Sequence, residues 1–435
     1  MMRKYEKYKD SGVEWIGKIP EHWEVKPFKY LVNIIMGQSP SGNNIVTEGK
    51  TLFMQGNAEF TDLYPKPSYY CETCNKFSRV GDILMSVRAP VGELNISDRI
   101  YGIGRGLCSI KSKKLVQKFL WYFLLKSKLD LGYFSTGSTF DAISIQILKS
   151  FTSIVPSLPE QQVIASYLDS KVGEIDNMIE KTEKKIELYE ELKKSIITHA
   201  VTKGLNPNVK MKDSGVDWIG EIPENWEAMK VAWIYKLIGS GTTPKTDRED
   251  YYCENGENWL QTGDLNDGII INTSKQITKE CITELNLKIY PIDSLVIAMY
   301  GATIGKIGLL DIETTTNQAC CVLAKSKIIL PKFSYFVFLA AKQSLILKSS
   351  GGGQPNISQD KIRTHYLPIP SIKEQNIIVS YLDSKTNAID SQISIAHKRI
   401  DLLKELKSSL ITNVVTGKIK VAPLSDKEYK TQMGD

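Results

Sequence analysis

Residues 301–307, GATIGKI, come closest in this chain to a motif that performs chemistry. In a phosphate-binding loop four residues separate two glycines, and a lysine and a hydroxyl residue that binds Mg²⁺ follow the second glycine. Only three residues separate Gly301 from Gly305, and Ile307 stands where the hydroxyl group is needed. The pattern therefore predicts a turn rather than a nucleotide-binding site.

Cys71 and Cys74 form a CxxC pair, which is half of a typical zinc site. No second CxxC pair and no pair of histidines follows at a suitable spacing, so the sequence favours two thiols in a loop. The four histidines are His22, His199, His365 and His397. Because they are scattered, we expect neither a catalytic triad nor a histidine-dependent nuclease. The sequence predicts no catalytic residues and no metal ion for this chain.

Two blocks of sequence occur twice, and they carry the strongest signal in the chain. Residues 9–24, KDSGVEWIGKIPEHWE, return at 212–227 with 13 of 16 positions identical. Residues 156–176, PSLPEQQVIASYLDSKVGEID, return at 370–390 with 13 of 21 positions identical. A surface that is present twice suits a partner that binds in two copies.

The two inserts between these blocks have diverged. Residues 25–155 and 228–369 match only in scattered landmarks. The landmarks include Gly37-Gln38-Ser39-Pro40 opposite Gly241-Thr242-Thr243-Pro244, and Pro90-Val91-Gly92 opposite Thr303-Ile304-Gly305. We expect both inserts to share one fold, with surfaces rebuilt for two different ligands.

Apolar patterns indicate mixed α/β inserts. Short apolar runs bounded by turn residues predict buried strands at 82–87 and 294–299. Longer apolar segments predict helices at 118–128 and 335–348.

A 3,4-spaced apolar stripe follows the second block in each half. Its members in the first half are Ile175, Ile179, Ile186, Tyr189 and Ile196, with Leu192 on the flank. Its members in the second half are Ile389, Ile393, Ile400, Leu403, Leu406 and Leu410. Both stripes predict amphipathic helices of about 30 residues, each about 45 Å long at about 1.5 Å per residue. The near-heptad spacing is suited to packing one helix on the other.

These patterns divide the chain into seven segments. They are a repeated scaffold segment (1–24), a first recognition domain (25–155), a central scaffold with a long helix (156–211), the second repeated segment (212–227), a second recognition domain (228–369), a C-terminal scaffold with a long helix (370–420) and a polar tail (421–435).

The composition is that of a globular protein, with 42% apolar and 24% charged residues. No apolar run reaches the roughly 18 residues of a membrane helix, and the N-terminal residues lack the apolar centre of a secretion signal. We therefore expect a cytoplasmic protein without a membrane partner. Residues 28–158 contain 15 Lys and Arg against 9 Asp and Glu, whereas residues 226–370 contain 15 against 14. A basic first insert suits a phosphate backbone, although an ordinary solvated surface explains it nearly as well.

The repeated WIG-IP-E-W block, the P-x-x-x-EQ block followed by SYLDSK, and the order insert, helix, insert, helix resemble the specificity subunits of type I DNA restriction-modification systems. The resemblance covers nearly the whole chain. It implies mixed α/β recognition domains, each reading half of a split DNA target, joined by two long antiparallel coiled-coil helices with an internal pseudo-two-fold repeat.

The same resemblance implies the partners and cofactors. Double-stranded DNA is the ligand, two methyltransferase subunits dock on the chain, and restriction subunits complete the complex that cleaves DNA. The partners would use S-adenosylmethionine for methylation and ATP with Mg²⁺ for cleavage, so no cofactor is expected on this chain. Asn206-Pro207-Asn208 lacks the second proline and the aromatic residue of an adenine methyltransferase loop. A coiled-coil adaptor that bridges two proteins without reading DNA is the alternative.

Candidate DNA contacts follow from side-chain chemistry. Arg88 and Arg105 suit guanine O6 and N7, and Asn317 and Gln318 suit adenine N6 and N7. The candidates for phosphate contact are Lys111, Lys113 and Lys114 in the first insert, and Lys361 and Arg363 in the second. For each of these residues, a purely solubilising surface role is the alternative.

Four tryptophans lie in the repeated blocks: Trp15, Trp23, Trp218 and Trp226. They suit either binding a partner or packing each block against the helices, and packing is favoured. The charged faces of the predicted helices are interpreted as solvated, with contact to a methyltransferase as the alternative that the resemblance implies.

Overall fold

The computed structural model describes residues 4–40, 44–133, 142–349 and 356–422. It divides into two compact units: unit 1 comprises Met1–Glu183 and Lys398–Asp435, and unit 2 comprises Lys184–His397. Most of the predicted polar tail, from residue 423 onward, lies outside the described residues.

The described part of unit 1 contains two four-stranded and two two-stranded sheets. Its strands are β1 Tyr8–Asp10, β2 Lys18–Pro20, β3 Glu24–Pro27, β4 Val32–Met36, β5 Ile45–Val46, β6 Thr51–Met54, β7 Tyr69–Cys71, β8 Ile83–Ser86, β9 Leu94–Ile96, β10 Gly102–Ile103, β11 Leu107–Ser112 and β12 Thr152–Val155. Its short helices are α1 Gln117–Lys126, α2 Lys128–Tyr133 and α3 Ile145–Ser150, and Phe28–Tyr30 form a 3-10 turn. The sheet β4-β11-β8-β9 is antiparallel, whereas β10 pairs parallel to β6 in the sheet β10-β6-β7-β5.

Unit 2 repeats this plan, with β19 and α6 added in its described residues. Its strands are β13 Met211–Asp213, β14 Glu221–Pro223, β15 Glu227–Lys230, β16 Leu237–Gly239, β17 Tyr252–Cys253, β18 Glu257–Leu260, β19 Gly268–Ile270, β20 Gln276–Ile277, β21 Leu295–Ala298, β22 Ile307–Leu310, β23 Thr315–Thr316, β24 Cys320–Ala324 and β25 Tyr366–Ile369. Its short helices are α5 Val231–Ile234, α6 Lys279–Glu284, α7 Pro331–Leu347 and α8 Gln359–Arg363, with 3-10 turns at Glu249–Tyr251 and Thr262–Asp264. The sheet order is β16-β24-β21-β22-β19, and β18 pairs parallel to β23 in the second sheet.

The strands and helices predicted inside the inserts are confirmed. The run at 82–87 forms β8 and the run at 294–299 forms β21, and every residue of both strands is buried. Successive residues of each strand pack in two different hydrophobic cores, as Ile83 and Leu84 do in β8. Both faces of each strand are therefore covered, which is why the sequence shows a continuous apolar run rather than alternation. The predicted helices correspond to α1 and α7.

The long helices are α4, Leu158–Lys203, and α9, Ile372–Val415. They contain 46 and 44 residues, so the prediction of about 30 residues was wrong. At about 1.5 Å per residue they are about 69 and 66 Å long. The prediction was short because it counted the helix from the heptad stripe, whereas each helix begins near its EQ pair and packs its first turns on the recognition domain.

The two long helices bury equivalent residues. Ten buried positions of α4 each have a buried counterpart at the matching position of the repeat in α9, as Ile164 and Ile378 do. The ten in α4 are Gln161, Ile164, Leu168, Val172, Ile175, Thr182, Ile186, Ile197, Ala200 and Val201. Those in α9 are Gln375, Ile378, Leu382, Thr386, Ile389, Ala396, Ile400, Ile411, Val414 and Val415.

The other predicted stripe residues differ in burial. Leu410 is buried, and Ile179, Ile196 and Leu403 are partly buried against a core. Tyr189 and Ile393 are half-buried. Leu406, predicted in the same stripe, is instead 52% exposed, and Leu192 is 47% exposed.

The repeated EQ pair joins each recognition domain to a long helix. Gln161 is buried, its Oε1 accepts a hydrogen bond from the Val116 N–H (2.8 Å), and its Nε2 donates to the Pro156 carbonyl (2.8 Å). Val116 is the N-cap of α1, whose own side chain cannot cap the helix. The glutamine therefore accepts from the backbone N–H of the N-cap residue itself, one of the amides at a helix start that have no partner within the helix.

Gln375 plays the same part in unit 2. Its Oε1 accepts from the N–H of Leu330, the N-cap of α7 (2.8 Å), and its Nε2 donates to the carbonyls of Ile328 (2.8 Å) and Pro370 (3.0 Å). An ion pair supports each junction: Lys118 pairs with Asp169, and Lys332 pairs with Asp383 at 2.7 Å.

Replacing Gln375 by alanine is expected to lower the free energy of unfolding by about 2 kcal/mol, because three buried or part-buried backbone groups lose the partner that its buried side chain provides. Thermal or urea unfolding of the purified chain measures this. Gln343→Ala is the matched control, because it removes an exposed amide from the same unit and should change stability by less than about 0.5 kcal/mol. Equal losses in the two variants would contradict the proposed role of the EQ pair.

The four tryptophans of the repeated blocks pack within their own units. Trp23 and Trp226 are fully buried, and the Trp23 Nε1 donates to Glu160 Oε1 (3.3 Å). Trp15 stacks on Phe151 with ring centroids 5.0 Å apart. Trp218 stacks in the same way on His365 at 5.4 Å.

Candidate nucleic-acid interface

In each unit the loop after β4 or β16 meets the segment before β11 or β24, which also hydrogen-bonds to the end of β6 or β18. A Cβ atom on Gly37, in the loop after β4, would lie 2.1 Å from the carbonyl oxygen of Gly104. A Cβ on Gly241, after β16, would lie 1.6 Å from the carbonyl oxygen of Thr316. Only glycine permits such an approach. The shared glycine landmark therefore holds the loop after β4 or β16 against the segment that precedes β11 or β24.

In unit 1 this junction presents Arg105. The Ser39 Oγ accepts hydrogen bonds from the Arg105 backbone N–H (3.3 Å) and from Gln55 Nε2 (2.6 Å). Arg105 is exposed, whereas its neighbours Gly104 and Gly106 are buried. The backbone is thus fixed while the guanidinium group stays in solvent, which suits a side chain that contacts a ligand.

In unit 2 the corresponding junction presents Gln318. The hydroxyl of Thr243, which occupies the landmark position of Ser39, donates to the Gln318 Oε1. Gln318 is exposed and the following residue, Ala319, is buried.

Strand register shows that Arg105 and Gln318 occupy equivalent positions. Ile103 pairs in parallel with Met54, and Thr316 pairs in parallel with Leu260. Arg105 and Gln318 each lie two residues beyond these pairs. Arginine suits bidentate contact with guanine, and glutamine suits bidentate contact with adenine, each worth about 1–3 kcal/mol of discrimination. The equivalent position therefore carries side chains of different hydrogen-bonding chemistry in the two units, and base reading by them stays a prediction.

A second position beside this junction differs between the units. Arg88 is exposed and follows Val87, whose N–H donates to the Gly106 carbonyl (2.9 Å). Its counterpart in unit 2 is Tyr300, which follows Met299, a donor to the Ala319 carbonyl at 2.8 Å. The landmark turns confirm that Arg88 and Tyr300 are equivalent. The backbone N–H of Gly92 donates to the Ser86 carbonyl, and that of Gly305 donates to the Ala298 carbonyl.

Sequence reasoning missed Tyr300 because the turn in unit 2 is longer. Gly92 follows Ser86 by six positions in the sequence, whereas Gly305 follows Ala298 by seven. Counting back from the glycine landmarks with one added residue would have found it.

The other predicted base-reading residue, Asn317, accepts a hydrogen bond within the loop through its amide oxygen, as Gln318 does from Thr243. The Asn317 Oδ1 accepts from the Ala319 N–H (3.1 Å), which closes a turn around Gln318. Its assignment as a base reader stays a prediction, and its observed contact shapes the loop that presents Gln318.

The predicted phosphate contacts of unit 1 lie away from the junction. Arg105 precedes β11, whereas Lys113 and Lys114 follow the end of that strand and donate their backbone N–H groups to the Leu31 carbonyl (2.8 and 3.2 Å). Lys111 places its ammonium group 3.8 Å from the carboxylate of Asp82, a buried residue. A strand of six residues spans about 20 Å, so these lysines and Arg105 occupy opposite ends of the sheet.

In unit 2, Lys361 and Arg363 lie on α8. The Arg363 Nη2 donates to the Ile238 carbonyl (3.3 Å), so at least part of its hydrogen-bonding capacity serves the fold. Contact with phosphate stays a prediction for both residues.

The cysteine and histidine side chains of the described ranges do not form a metal site. No cluster of three or more metal-ligating side chains occurs there. Burial and the neighbouring Cys71 raise the pKa of the Cys74 thiol to about 12. Burial and the charge of Lys348 lower the pKa of His365 to about 3, so this imidazole is neutral at physiological pH. Among the same residues, no helix is both long and apolar enough to cross a membrane.

Comparison with known proteins gives the family. A sequence model of the type I restriction modification DNA specificity domain matches residues 20–188 and 223–404. The MjaVIII specificity subunit of Methanocaldococcus jannaschii, a type I restriction enzyme subunit, is 25% identical over 438 residues, which cover 94% of this chain and 95% of that protein. The MjaX specificity subunit of the same organism is 42% identical over 193 residues, which cover 43% of this chain and 44% of that protein.

Two solved structures share the fold. One, from work on complex assembly and conformational transition of the type I R-M system, has a TM-score of 0.72 and 14% identity over 91% of this chain and 98% of that one. The HsdS subunit of Thermoanaerobacter tengcongensis has a TM-score of 0.50 and 13% identity over 92% of this chain and 98% of that one. Because the family match covers most of the chain in both halves, this protein belongs to the type I restriction-modification DNA specificity family and has the DNA-recognition role of a specificity subunit.

Proposed function

We propose that this chain reads a split DNA sequence, with unit 1 reading one half and unit 2 the other. The observation that supports this proposal is the equivalence of Arg105 and Gln318, which stand at corresponding loop junctions of the two units and carry side chains that suit different bases. The chain supplies sequence specificity and leaves the chemistry to its partners. Two methyltransferase subunits would supply S-adenosylmethionine chemistry, and restriction subunits would cleave DNA with ATP and Mg²⁺.

We also propose that α4 and α9 form an antiparallel coiled coil with pseudo-two-fold symmetry, which sets the number of unread base pairs. Two ion pairs support this arrangement: Lys407 with Asp176 in unit 1, and Lys193 with Asp390 in unit 2, both at 2.7 Å. In the repeat, Asp390 occupies the position of Asp176, and Lys407 occupies the position of Lys193. Each pair is therefore the counterpart of the other, which is the relation that a two-fold axis produces.

Exposed leucines on the two long helices provide a surface for the methyltransferase subunits. Leu188 and Leu192 are 64% and 47% exposed, and their counterparts in the repeat, Leu402 and Leu406, are 64% and 52% exposed. Each pair is spaced i, i+4, so its two side chains lie on one face of the helix. Since both helices carry the same exposed pair, two copies of one partner helix fit them.

The test of DNA reading begins with the methylated motif, which methylome sequencing of a strain expressing the chain with its methyltransferase provides. In duplex competition at raised salt, the wild-type complex should prefer this motif over scrambled DNA by about 10³-fold or more. Arg105→Ala should weaken binding to the motif about 10- to 100-fold more than binding to scrambled DNA.

Arg79→Ala is the control, because it removes an exposed arginine of the same unit. It should change the affinity for the motif duplex and for the scrambled duplex by the same factor. A coiled-coil adaptor would give only weak binding that falls steeply with salt and shows no preference for the motif. Equal effects of Arg105→Ala and Arg79→Ala would remove Arg105 from the reading surface.

A further inference from the structure

An exposed aromatic residue stands at the same place in both units. Tyr30 is 55% exposed and Trp233 is 65% exposed, and they are related by the same offset as the repeated blocks that begin at residues 9 and 212. Tyr30 is the last residue of the 3-10 turn that follows β3, and Trp233 is the third of the four residues of α5, which follows β15. Those strands pair with β12 and β25, which lead into the long helices.

The fold does not need these two rings. Phe28 and Leu31 around Tyr30 are buried, as are Val231 and Ile234 around Trp233, so each turn is already anchored by its neighbours. A single exposed ring is ordinary on a protein surface, but here an exposed ring occurs at the equivalent position of both units. This recurrence points to a surface that a partner covers.

One lysine contacts each ring and two more lie on neighbouring backbone, and we call the two sites the aromatic–lysine patches. In unit 1 the patch consists of Tyr30, Lys29, Lys113 and Lys114. The Lys29 ammonium lies 4.8 Å from the Tyr30 ring centroid, and Lys113 and Lys114 hydrogen-bond through their backbone to the residue that follows Tyr30. All three lysine side chains are exposed.

In unit 2 the patch consists of Trp233, Lys230, Lys236 and Lys325. The Lys230 ammonium lies 5.4 Å from the Trp233 ring centroid, and the Lys236 N–H donates to the Lys325 carbonyl at 3.1 Å. Lys236 and Lys325 are exposed and Lys230 is half-buried. Each patch thus combines an aromatic ring at the equivalent position with three lysines, although the lysines stand at different positions of the two inserts.

Each patch lies at the end of a sheet strand opposite to the base-reading residue. Gln318 precedes β24 and Lys325 follows it, as Arg105 precedes β11 and Lys113 follows it. At about 3.3 Å per residue these strands separate the two ends by about 16 and 20 Å. The side chain that differs between the units, Arg105 or Gln318, lies at one end of the strand, and the exposed aromatic ring that both units have lies at the other.

We propose that each aromatic–lysine patch binds an acidic surface of one methyltransferase subunit, so that each recognition domain holds its own copy. This inference rests on the proposed function. A shared patch suits a partner that is the same for both units, and three lysines suit acidic side chains. A protein fits better than DNA, because the bases of a duplex are stacked and closed to an exposed ring, whereas tryptophan and tyrosine are common anchors at protein interfaces.

The experiment uses the full chain co-expressed with its methyltransferase, and it measures stoichiometry by native mass spectrometry and affinity by titration. The double variant Tyr30→Ala/Trp233→Ala should bind methyltransferase at least about 30-fold more weakly than the wild type. Each single variant should weaken the binding of one copy and spare the other. Raised salt should weaken the wild-type contact, because it screens the lysines.

Tyr64→Ala is the control, since it removes a ring that is 47% exposed elsewhere in unit 1 and should leave methyltransferase binding unchanged. Because the replaced rings are exposed, the midpoint of thermal unfolding should not move, which excludes misfolding as the cause of a loss. Undiminished binding by the double variant, with a wild type that binds, overturns the inference about the patches. A wild type that binds no methyltransferase overturns the proposed function instead. Reduced affinity of the variant for DNA with unchanged methyltransferase binding assigns the patches to DNA and also overturns the inference.

Discussion

Exchange of residues 25–155 for the corresponding insert of another family member is expected to change one half of the methylated motif completely and to leave the other half unchanged. Each unit carries its own loop junction, with Arg105 in one and Gln318 in the other, so the two halves of the motif depend on different side chains. Methylome sequencing of strains with the parental and exchanged chains reads both halves directly.

The structure makes this exchange feasible. Glu24 precedes the first insert and Val155 ends it, and these two residues pair across β3 and β12. Around the second insert, Glu227 pairs with Ile369 in the same way. Both ends of each insert therefore lie side by side on a two-stranded sheet, and a graft joins there without moving the rest of the unit. The reciprocal exchange of residues 228–369 is the matched control and should alter only the other half. A change in both halves after either exchange would show that the units do not read independently.

Adding one heptad to each long helix, after Tyr189 and after Leu403, is expected to lengthen the unread gap of the motif by up to about three base pairs, with both half-sequences kept. Tyr189 and Leu403 occupy the same position of the repeat, so the insertions fall at equivalent points and preserve the apolar seam. Seven residues add about 10 Å, and one base pair of DNA rises about 3.4 Å. Bending and twisting of the duplex absorb part of the change, so three base pairs is the upper limit.

Methylome sequencing measures this gap as well. A heptad placed in α4 alone is the control, because it shifts the register of one helix against the other and should abolish methylation rather than change the spacing. If the variant with both insertions methylates DNA with the parental gap, the length of the helices does not set the number of unread base pairs.

The scaffold could be predicted well from the sequence. The repeated blocks and the apolar stripes indicated two equivalent long helices, since heptad spacing is a local property that a chain displays without knowledge of its contacts. The length was underestimated because the first turns of α4 and α9 pack on the recognition domains, where residues such as Gln161 and Gln375 are buried through hydrogen bonds rather than apolar contacts. A buried glutamine cannot be distinguished from a solvated one by periodicity.

The candidate site was only partly predictable. The sequence identified Arg105 and Gln318 by their chemistry, but it gave no reason to place them at the same position. Their equivalence depends on parallel pairing of β10 with β6 and of β23 with β18, which are far apart in the chain. The same pairing geometry separates Lys113 and Lys114 from Arg105 and places Lys111 near Asp82, although all of these residues are close in sequence.

What the sequence by itself determined is therefore the repeat, the two amphipathic helices, the mixed α/β inserts and the family, because each of these is recorded in local spacing or in residues that recur. Only the tertiary structure decided which side chains meet at the reading junction, that Tyr300 stands where unit 1 has Arg88, and that Tyr30 and Trp233 remain exposed among lysines. The physical reason is that strand register and turn length determine which distant residues become neighbours, and a single added residue in a turn shifts that correspondence without leaving a mark on composition or periodicity.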